Sequence, residues 1–332
     1  MVNPWPPDQA QETDGPVVFL APGAGLGHLV RTGALGLGLR REGIRSIILS
    51  SSAWSRGFAA ITGLDLRYIP LALWKERCLE FLRALAPRLI VQDSFPLGLR
   101  GENLESISTD CPRVCLARHL KLQAYVDAIK KFGPVSQPHG LINIIIEPLA
   151  LDHEKWLGMN NSVCINLDSR IRFPVSMISV PEIPEALGRQ LDTGFLHLVV
   201  HSGPEHEVNQ LIQKAEKDIT DSGKGELAVI NPVFAAKGHP HCYDYFPAAG
   251  LYAKAFRIYT GGGYNSVAEG SGLKEKHVMI PFPRHYDDQV FRVNQSSFGE
   301  GEPSNDRVVQ ILKHMVEHKT GSRGEPRMSI SV

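Results

Sequence analysis

Short apolar runs alternate along this chain with longer segments whose apolar positions suit a helix. The first run, residues 16–21 (PVVFLA), has the continuous apolar pattern of a strand buried on both faces, as parallel sheets require. A glycine-rich turn follows. Residues 29–41 then carry Val30, Leu35, Leu37 and Leu39 in a helix-length segment that ends at Gly43, a C-cap residue. Further strands are predicted at 46–49, 66–69, 89–92, 114–117 and 141–146, with helices at 74–86 and 120–131 between them. Alternation of this kind implies right-handed crossovers and a doubly wound parallel sheet.

The rhythm weakens from 148 to 184, around Pro174, Pro181 and Pro184, which predicts a domain boundary there. Beyond it, strands at 195–201, 226–230, 255–259 and 277–280 and helices at 205–220, 248–254, 264–270, 287–298 and 304–318 predict a second α/β layer. The expected organisation is one unit over 15–165, a second over 166–320, and flexible tails at 1–14 and 321–332. Length agrees, since 332 residues correspond to about two domains.

Charge removes whole classes of partner. With 35 Lys and Arg against 35 Asp and Glu the formal net charge is zero, so no summed basic field draws in nucleic acid. The longest weakly charged stretch, 15–30, is broken by Pro16, Pro22 and several glycines and falls short of the ~20 apolar residues of a membrane span. Residues 1–14 lack the basic and apolar regions of a secretory signal. Five scattered cysteines, Cys78, Cys111, Cys115, Cys164 and Cys242, form no C-x-x-C pair. They read as reduced thiols of a cytoplasmic protein. The histidines His197, His201 and His206 and the run His239-Pro240-His241-Cys242 lack the spacing of a zinc site, so no metal is expected. His197 and His201 read more simply as same-face residues of one strand.

Three segments carry candidate chemistry. In Ala21-Pro22-Gly23-Ala24-Gly25-Leu26-Gly27-His28 a buried strand passes through glycines into a helix, whose N-terminal amides favour anions. The spacing is not the dinucleotide fingerprint, and the next strand ends in Ser50-Ser51-Ser52 without the carboxylate that would hold a ribose. A tight turn alone accounts for the glycines but not for His28, an imidazole at the C-terminal edge of a parallel sheet and suited to removing a proton from a hydroxyl. Asp93, ending another buried strand, either orients His28 or caps a turn. The second segment, Tyr259-Thr260-Gly261-Gly262-Gly263-Tyr264-Asn265-Ser266-Val267-Ala268-Glu269, repeats the strand, glycine, helix pattern, with Glu269 about two turns on. Glu269 is placed either to accept hydrogen bonds from vicinal hydroxyls or to face solvent. The third, Ile280-Pro281-Phe282-Pro283-Arg284-His285-Tyr286-Asp287-Asp288-Gln289, delivers carboxylates at a helix start, where capping is their ordinary role, beside an amide able to donate and accept to a sugar.

Taken together, the turn ending at His28, Asp244-Tyr245-Phe246-Pro247, T-G-G-G-Y-N-S-V-A-E, and I-P-x-P followed by D-D-Q-x-x-R-x-N resemble the GT-B glycosyltransferases. The resemblance is nearest to family 28, which includes the bacterial peptidoglycan N-acetylglucosaminyltransferase, and runs from about residue 17 to about residue 318. It implies two Rossmann-like domains facing across a cleft, the N-terminal one holding the acceptor and the C-terminal one the nucleotide-sugar. His28 is then the general base beside Gly25 and Gly27. Gly261, Gly262, Gly263 and Ser266 cradle the diphosphate, with Asn265 in the same motif. Glu269 binds ribose, and Asp288 and Gln289 meet the donor sugar. The family's glycine-rich loop after the first strand of the second domain is here His201-Ser202-Gly203-Pro204, which leaves Ser202 and Gly203 for that contact.

The expected activity is therefore inverting transfer of a hexose or N-acetylhexosamine from a UDP-linked donor to an acceptor hydroxyl, with His28 as base, no cofactor and no metal. A nucleotide-sugar hydrolase of related fold and a non-catalytic glycosyltransferase-like subunit are the alternatives. The acceptor (a small molecule, glycan or lipid-linked group) is expected against loops 52–58, 95–102 and 118–123, and Trp54, Phe58, Leu71, Leu73 and Trp74 are the residues through which a peripheral membrane contact would be made.

Overall fold

The computed structural model describes residues 15–102, 111–132, 141–159, 162–295 and 301–318, and the expected tails at 1–14 and 321–332 lie outside them. Two parallel sheets organise the chain. The first holds β1 (Val17–Ala21), β2 (Ser46–Ser50), β3 (Asp65–Tyr68), β4 (Leu89–Asp93), β5 (Arg113–Ala117), β6 (Ile142–Ile145) and β7 (Val163–Asn166), in the order β3-β2-β1-β4-β5-β6-β7. The second holds β8 (Leu196–Val200), β9 (Glu226–Ile230), β10 (Cys242–Tyr243), β11 (Arg257–Gly261) and β12 (His277–Ile280), in the order β10-β9-β8-β11-β12. β1 and β4 are buried at every position, the reason their sequences run apolar without alternation. This is the α/β fold of two Rossmann-like halves expected from the sequence.

Helices α1 (Leu26–Arg41), α2 (Ser55–Thr62), α3 (Trp74–Leu85), α4 (Leu122–Lys130) and α5 (Leu151–Leu157) accompany the first sheet. α6 (Glu185–Asp192), α7 (Glu205–Ser222), α8 (Pro232–Ala236), α9 (Tyr264–Glu269) and α10 (Gln289–Asn294) accompany the second, and α11 (Asn305–Glu317) ends the described chain. The stretch expected as a boundary contains α5 and β7, which extends the first sheet by pairing Ile142 with Val163. Its strand is half-exposed and polar at the end, unlike the fully buried runs of β1 and β4. The helix expected at 248–254 is one tight turn, Ala248–Leu251.

Helix α11 lies within the span 166–320, yet its Val308, Val309 and Leu312 share one apolar core with Phe19, Leu35, Leu37 and Val91 of the first half. Gly38 makes this possible: a Cβ there would stand 2.5 Å from Val309 Cγ2. At ~1.5–3 kcal/mol for each fully buried aliphatic side chain, this contact fastens α11 to the first half.

Both sheets reverse their winding order at the centre. The chain runs outward from β1 to β3 and returns to β4 beside β1, and likewise from β8 to β10 and back to β11 beside β8. The C-terminal edges of such neighbouring strands form the crevice in which open α/β sheets bind ligands.

Candidate functional site

The first crevice brings His28 and Asp93 together. β1 and β4 are paired with Leu20 opposite Gln92, so the turn after Ala21 and the residue after Gln92 are neighbours, although 65 positions separate His28 from Asp93. His28 Nδ1 lies 2.7 Å from Asp93 Oδ2. Gly23, at φ +126°, lets the ring lie against the turn: a Cβ there would meet His28 Cδ2 at 2.9 Å. Ser51 Oγ accepts from Gly23 N at 2.7 Å and Ser52 Oγ donates to Ala24 O at 3.3 Å, so the serine run that could not hold a ribose fixes the turn instead.

Arg31, one helical turn beyond His28, was not singled out in the sequence. Its Nε donates to Asp93 Oδ1 at 3.0 Å and its Nη2 to Oδ2 at 2.7 Å, a two-pronged clamp within reach of prediction from the i, i+3 spacing. Burial alone would raise the Asp93 carboxyl, but Arg31 and His28 hold it well below the ordinary carboxylate range. Burial lowers His28, with Arg31 and Arg118 adding to the effect and Asp93 opposing it. His28 is therefore neutral at pH 7. With Nδ1–H turned to a carboxylate, its basic lone pair sits on Nε2, which makes no hydrogen bond among the described residues.

The second half brings its own glycine turn to the same place. Asn265, in the first turn of α9, donates from Nδ2 to Gly27 O at 3.1 Å, and Arg31 Nη1 donates to Asn265 Oδ1 at 3.4 Å. Tyr264 ties α9 down, accepting from Ile171 N at 2.8 Å and donating to Ile146 O at 3.2 Å. The three glycines differ in role. A Cβ on Gly261 would meet His201 at 2.9 Å, one on Gly262 would meet Val293 at 2.8 Å, and one on Gly263 would meet nothing within 4 Å, as is also true of Gly25. Two glycines thus admit close packing, while Gly263, Gly25 and Gly27 leave backbone open. Ser266 and Glu269 follow on α9. Burial pushes the Glu269 carboxyl up to about 7, and no cation offsets that.

Asp288 and Gln289 have structural partners. Asp288 Oδ1 caps α10 by accepting from Phe291 N at 3.0 Å, and the buried Gln289 accepts from Phe282 N at 2.9 Å through Oε1. To a ligand they offer the second Asp288 oxygen and the Gln289 amide. Ser202 is exposed. Gly203 packs on His201 and Glu207, and these two are themselves bonded, His201 Nε2 to Glu207 Oε2 at 2.7 Å, with Arg284 holding both Glu207 oxygens. His197 Nδ1 meets the Tyr259 hydroxyl at 2.7 Å inside the second half.

Asp287 was expected only as a helix-start carboxylate, yet it joins the two halves. Arg118 Nη1 donates to Asp287 Oδ1 at 2.5 Å, and Arg292 donates to Asp287 at 2.7 Å and 3.1 Å and to Glu147 at 2.6 Å and 2.8 Å. Leu120 and Asp287 form an antiparallel bridge, and Lys121 N donates to Tyr286 O at 2.8 Å. The loop 118–123, expected to face an acceptor, is therefore in good part an interface between the halves. Two of the residues expected to touch a membrane are core: Phe58 packs on Phe173 and Phe246, and Trp74 on Val18, Leu20 and Leu49. Leu73 remains exposed. Among the described residues no helix is long and apolar enough to cross a membrane, and no group of three or more His, Cys, Asp or Glu side chains is placed to hold a metal ion.

No protein-family model matches the chain, and no curated protein matches it in sequence. Solved structures do match. The glycosyltransferase SnogD from Streptomyces nogalater aligns over 92% of this chain and 96% of that one, with a TM-score of 0.52 at 14% identity. Spinosyn rhamnosyltransferase SpnG aligns over 90% and 95%, with a TM-score of 0.51 at 13% identity. The UDP-GlcNAc 2-epimerase of Methanocaldococcus jannaschii, solved with UDP-GlcNAc and UDP, aligns over 90% and 99%, with a TM-score of 0.54 at 11% identity. Likeness at this identity is likeness of architecture: two parallel-sheet domains in the arrangement of the GT-B glycosyltransferases, which the epimerase shares.

Proposed function

We propose that this protein is an inverting glycosyltransferase of the family 28 type, which moves a hexose or N-acetylhexosamine from a UDP-linked donor to an acceptor hydroxyl in the cytoplasm. The observation that carries this reading is the His28–Asp93 pair at the first crevice, 2.7 Å apart, with the glycine turn of α9 bonded against the same loop.

His28 Nε2 takes the acceptor's hydroxyl proton while the oxygen attacks the anomeric carbon from the face opposite the nucleotide. The bond to the diphosphate oxygen breaks with its electron pair, and the nucleoside diphosphate leaves. Asp93 keeps the imidazole in the required tautomer and stabilises the imidazolium that forms. A base so placed contributes ~10²–10⁴-fold. Open backbone at Gly263 and the Ser266 hydroxyl stabilise the charge of the leaving diphosphate in place of a metal ion. Glu269 accepts hydrogen bonds from the ribose hydroxyls, and Asp288 and Gln289 contact the donor sugar through the atoms their structural bonds leave over. A soluble acceptor is as compatible with these residues as a lipid-linked one.

The test has two stages. Thermal shifts with UDP, dTDP and GDP identify the nucleotide, since a ligand at 100 times its dissociation constant stabilises by about 2.7 kcal/mol. Incubation with UDP-sugars without acceptor then separates the readings. Rapid release of free sugar would make the protein a nucleotide-sugar hydrolase. Absence of any nucleotide-dependent shift would remove both.

A further inference from the structure

One unbroken series of hydrogen bonds runs from the imidazole of the first half to the glycine turn of the second. Asp93, bonded to His28, accepts from Ser94 Oγ at 3.1 Å through Oδ1. Ser94 Oγ accepts from Arg118 Nε at 2.8 Å. Arg118 Nη1 donates to Asp287 Oδ1 at 2.5 Å, and Asp287 accepts in turn from Arg292, whose Nη1 also donates to Gly262 O at 3.2 Å. Ser94, Arg118 and Arg292 are buried. Ser94 adopts φ +74°, the left-handed region that a serine seldom occupies, and strain of this kind persists where the surroundings impose it. The imposed conformation sets the hydroxyl between Asp93 and Arg118.

We propose that Arg118 and Asp287 are positioning residues through which contact between the two halves sets the orientation and basicity of His28. The proposal rests on the reading of His28 as the base. The charged groups acting on His28 are Asp93, Arg31 and Arg118, and Arg118 alone among them is bonded to a carboxylate of the other half, Asp287, in addition to the field of Glu147 in its own half. With the halves together, Asp287 offsets the Arg118 cation. With the halves apart, Arg118 loses that partner and keeps only Glu147 of its own half as counter-charge, so less of the cation near His28 is offset, which disfavours imidazolium and weakens the base. Full basicity, and hence proton removal from the acceptor, is confined to the closed arrangement.

The test is NMR titration of ¹³C-labelled histidines in the full chain, with the His28 signal assigned by its loss in His28→Gln. Asp287→Asn removes a counter-charge of Arg118 and is expected to lower the His28 pKa, by about 0.5–1 for one unit charge acting through a mixed dielectric. Arg118→Met is expected to raise it, the double variant to return it near the wild type, and Arg118→Lys, which keeps the charge, to move it least. The acid limb of kcat/KM for UDP-N-acetylglucosamine turnover follows the same order. A purely structural contact would lower stability in every variant and leave the titration in place. If His28→Ala abolishes turnover while His28 titrates alike in all variants, the positioning role is overturned and the base stands. If His28→Ala is fully active, both fall. The Lys variant keeps the measurement available should either neutral substitution fail to fold.

Discussion

Asn265 of the second half donates its side-chain amide to the carbonyl of Gly27 in the first, at 3.1 Å. That bond places the two glycine-rich turns against each other, and Arg31, which clamps Asp93, reaches the same side chain through Nη1. The candidate base and the candidate diphosphate turn therefore share one arginine. Elements 238 positions apart in sequence meet there because each follows a central strand of its own sheet.

His28→Ala is expected to reduce kcat/KM by ~10²–10⁴-fold without unfolding the protein, since the ring is at the lip of the crevice. Burial lowers His28 below its usual value, so the neutral base predominates at pH 7, and activity falls on acidification below the ordinary histidine range. Asp93→Asn lowers His28 further and leaves Arg31 without its buried partner, a loss of ~3–5 kcal/mol. A pH series of initial rates with parallel melting curves checks both. An acid limb above pH 7 would contradict the assignment.

How much of this was legible in the sequence depends on whether a signal was local. β9 and β12 fall at the predicted residues because each is an apolar run between turns, whereas β7 is only half-buried and ends in Asn166, and β10 is two residues long, too short to stand out. His28 and Asp93 could be singled out because each ends a buried strand or its turn, and the C-terminal edge of a parallel sheet is where chemistry collects. The contacts among Arg118, Glu147, Asp287 and Arg292 could not, because three segments supply them and only the meeting of the two halves makes Arg118 and Glu147 neighbours of Asp287 and Arg292. Glu147 sits just after β6, at that same edge, which was the one local hint. Phe58 and Trp74 failed in the opposite direction: apolar residues near a loop were taken for surface when the core had claimed them.

On the proposed role of Glu269 in holding the ribose, stability and ligand binding oppose each other at this residue. The folded carboxyl keeps its proton to about pH 7 against 4.5 for the free group, so the folded state binds more protons within that window. Stability is then expected to fall as pH rises from about 4.5 to 7 and to level off above, by up to about 3 kcal/mol. Glu269→Gln should flatten this dependence and melt higher than wild type at pH 8, while losing most of the thermal shift produced by UDP. Equal pH dependence in the two proteins would show that the carboxyl is solvated.

Adjacent glycines should behave differently. Gly262→Ala sets a Cβ 2.8 Å from Val293 Cγ2 and 3.1 Å from Gln289 Cβ, an overpacking expected to cost ~1–3 kcal/mol. Gly263→Ala meets nothing, at φ −68° and ψ 154°, and as a cap change it should cost within about 1 kcal/mol. Its effect should instead appear in nucleotide binding, as a smaller thermal shift with UDP, because the added methyl occupies the open side of the turn. Unchanged UDP stabilisation in a folded Gly263→Ala protein would place the diphosphate elsewhere.

Helix α11 should prove part of the first half's core. Gly38→Ala gains about 0.5–1 kcal/mol of helix propensity but drives a methyl to within 2.5 Å of Val309 Cγ2, and the clash, at ~1–3 kcal/mol, should win. Val309→Ala alone should cost ~1–3 kcal/mol, as loss of buried methyl groups does. Combined, the methyl added at position 38 takes up space that Val309→Ala vacates, so the double variant should be more stable than the sum of the singles predicts, by ~0.5–3 kcal/mol of coupling between touching residues. Urea unfolding of the four proteins reads this directly. Additive losses would mean that α11 does not rest on α1, and the link between the chain's end and the base-bearing helix would be lost.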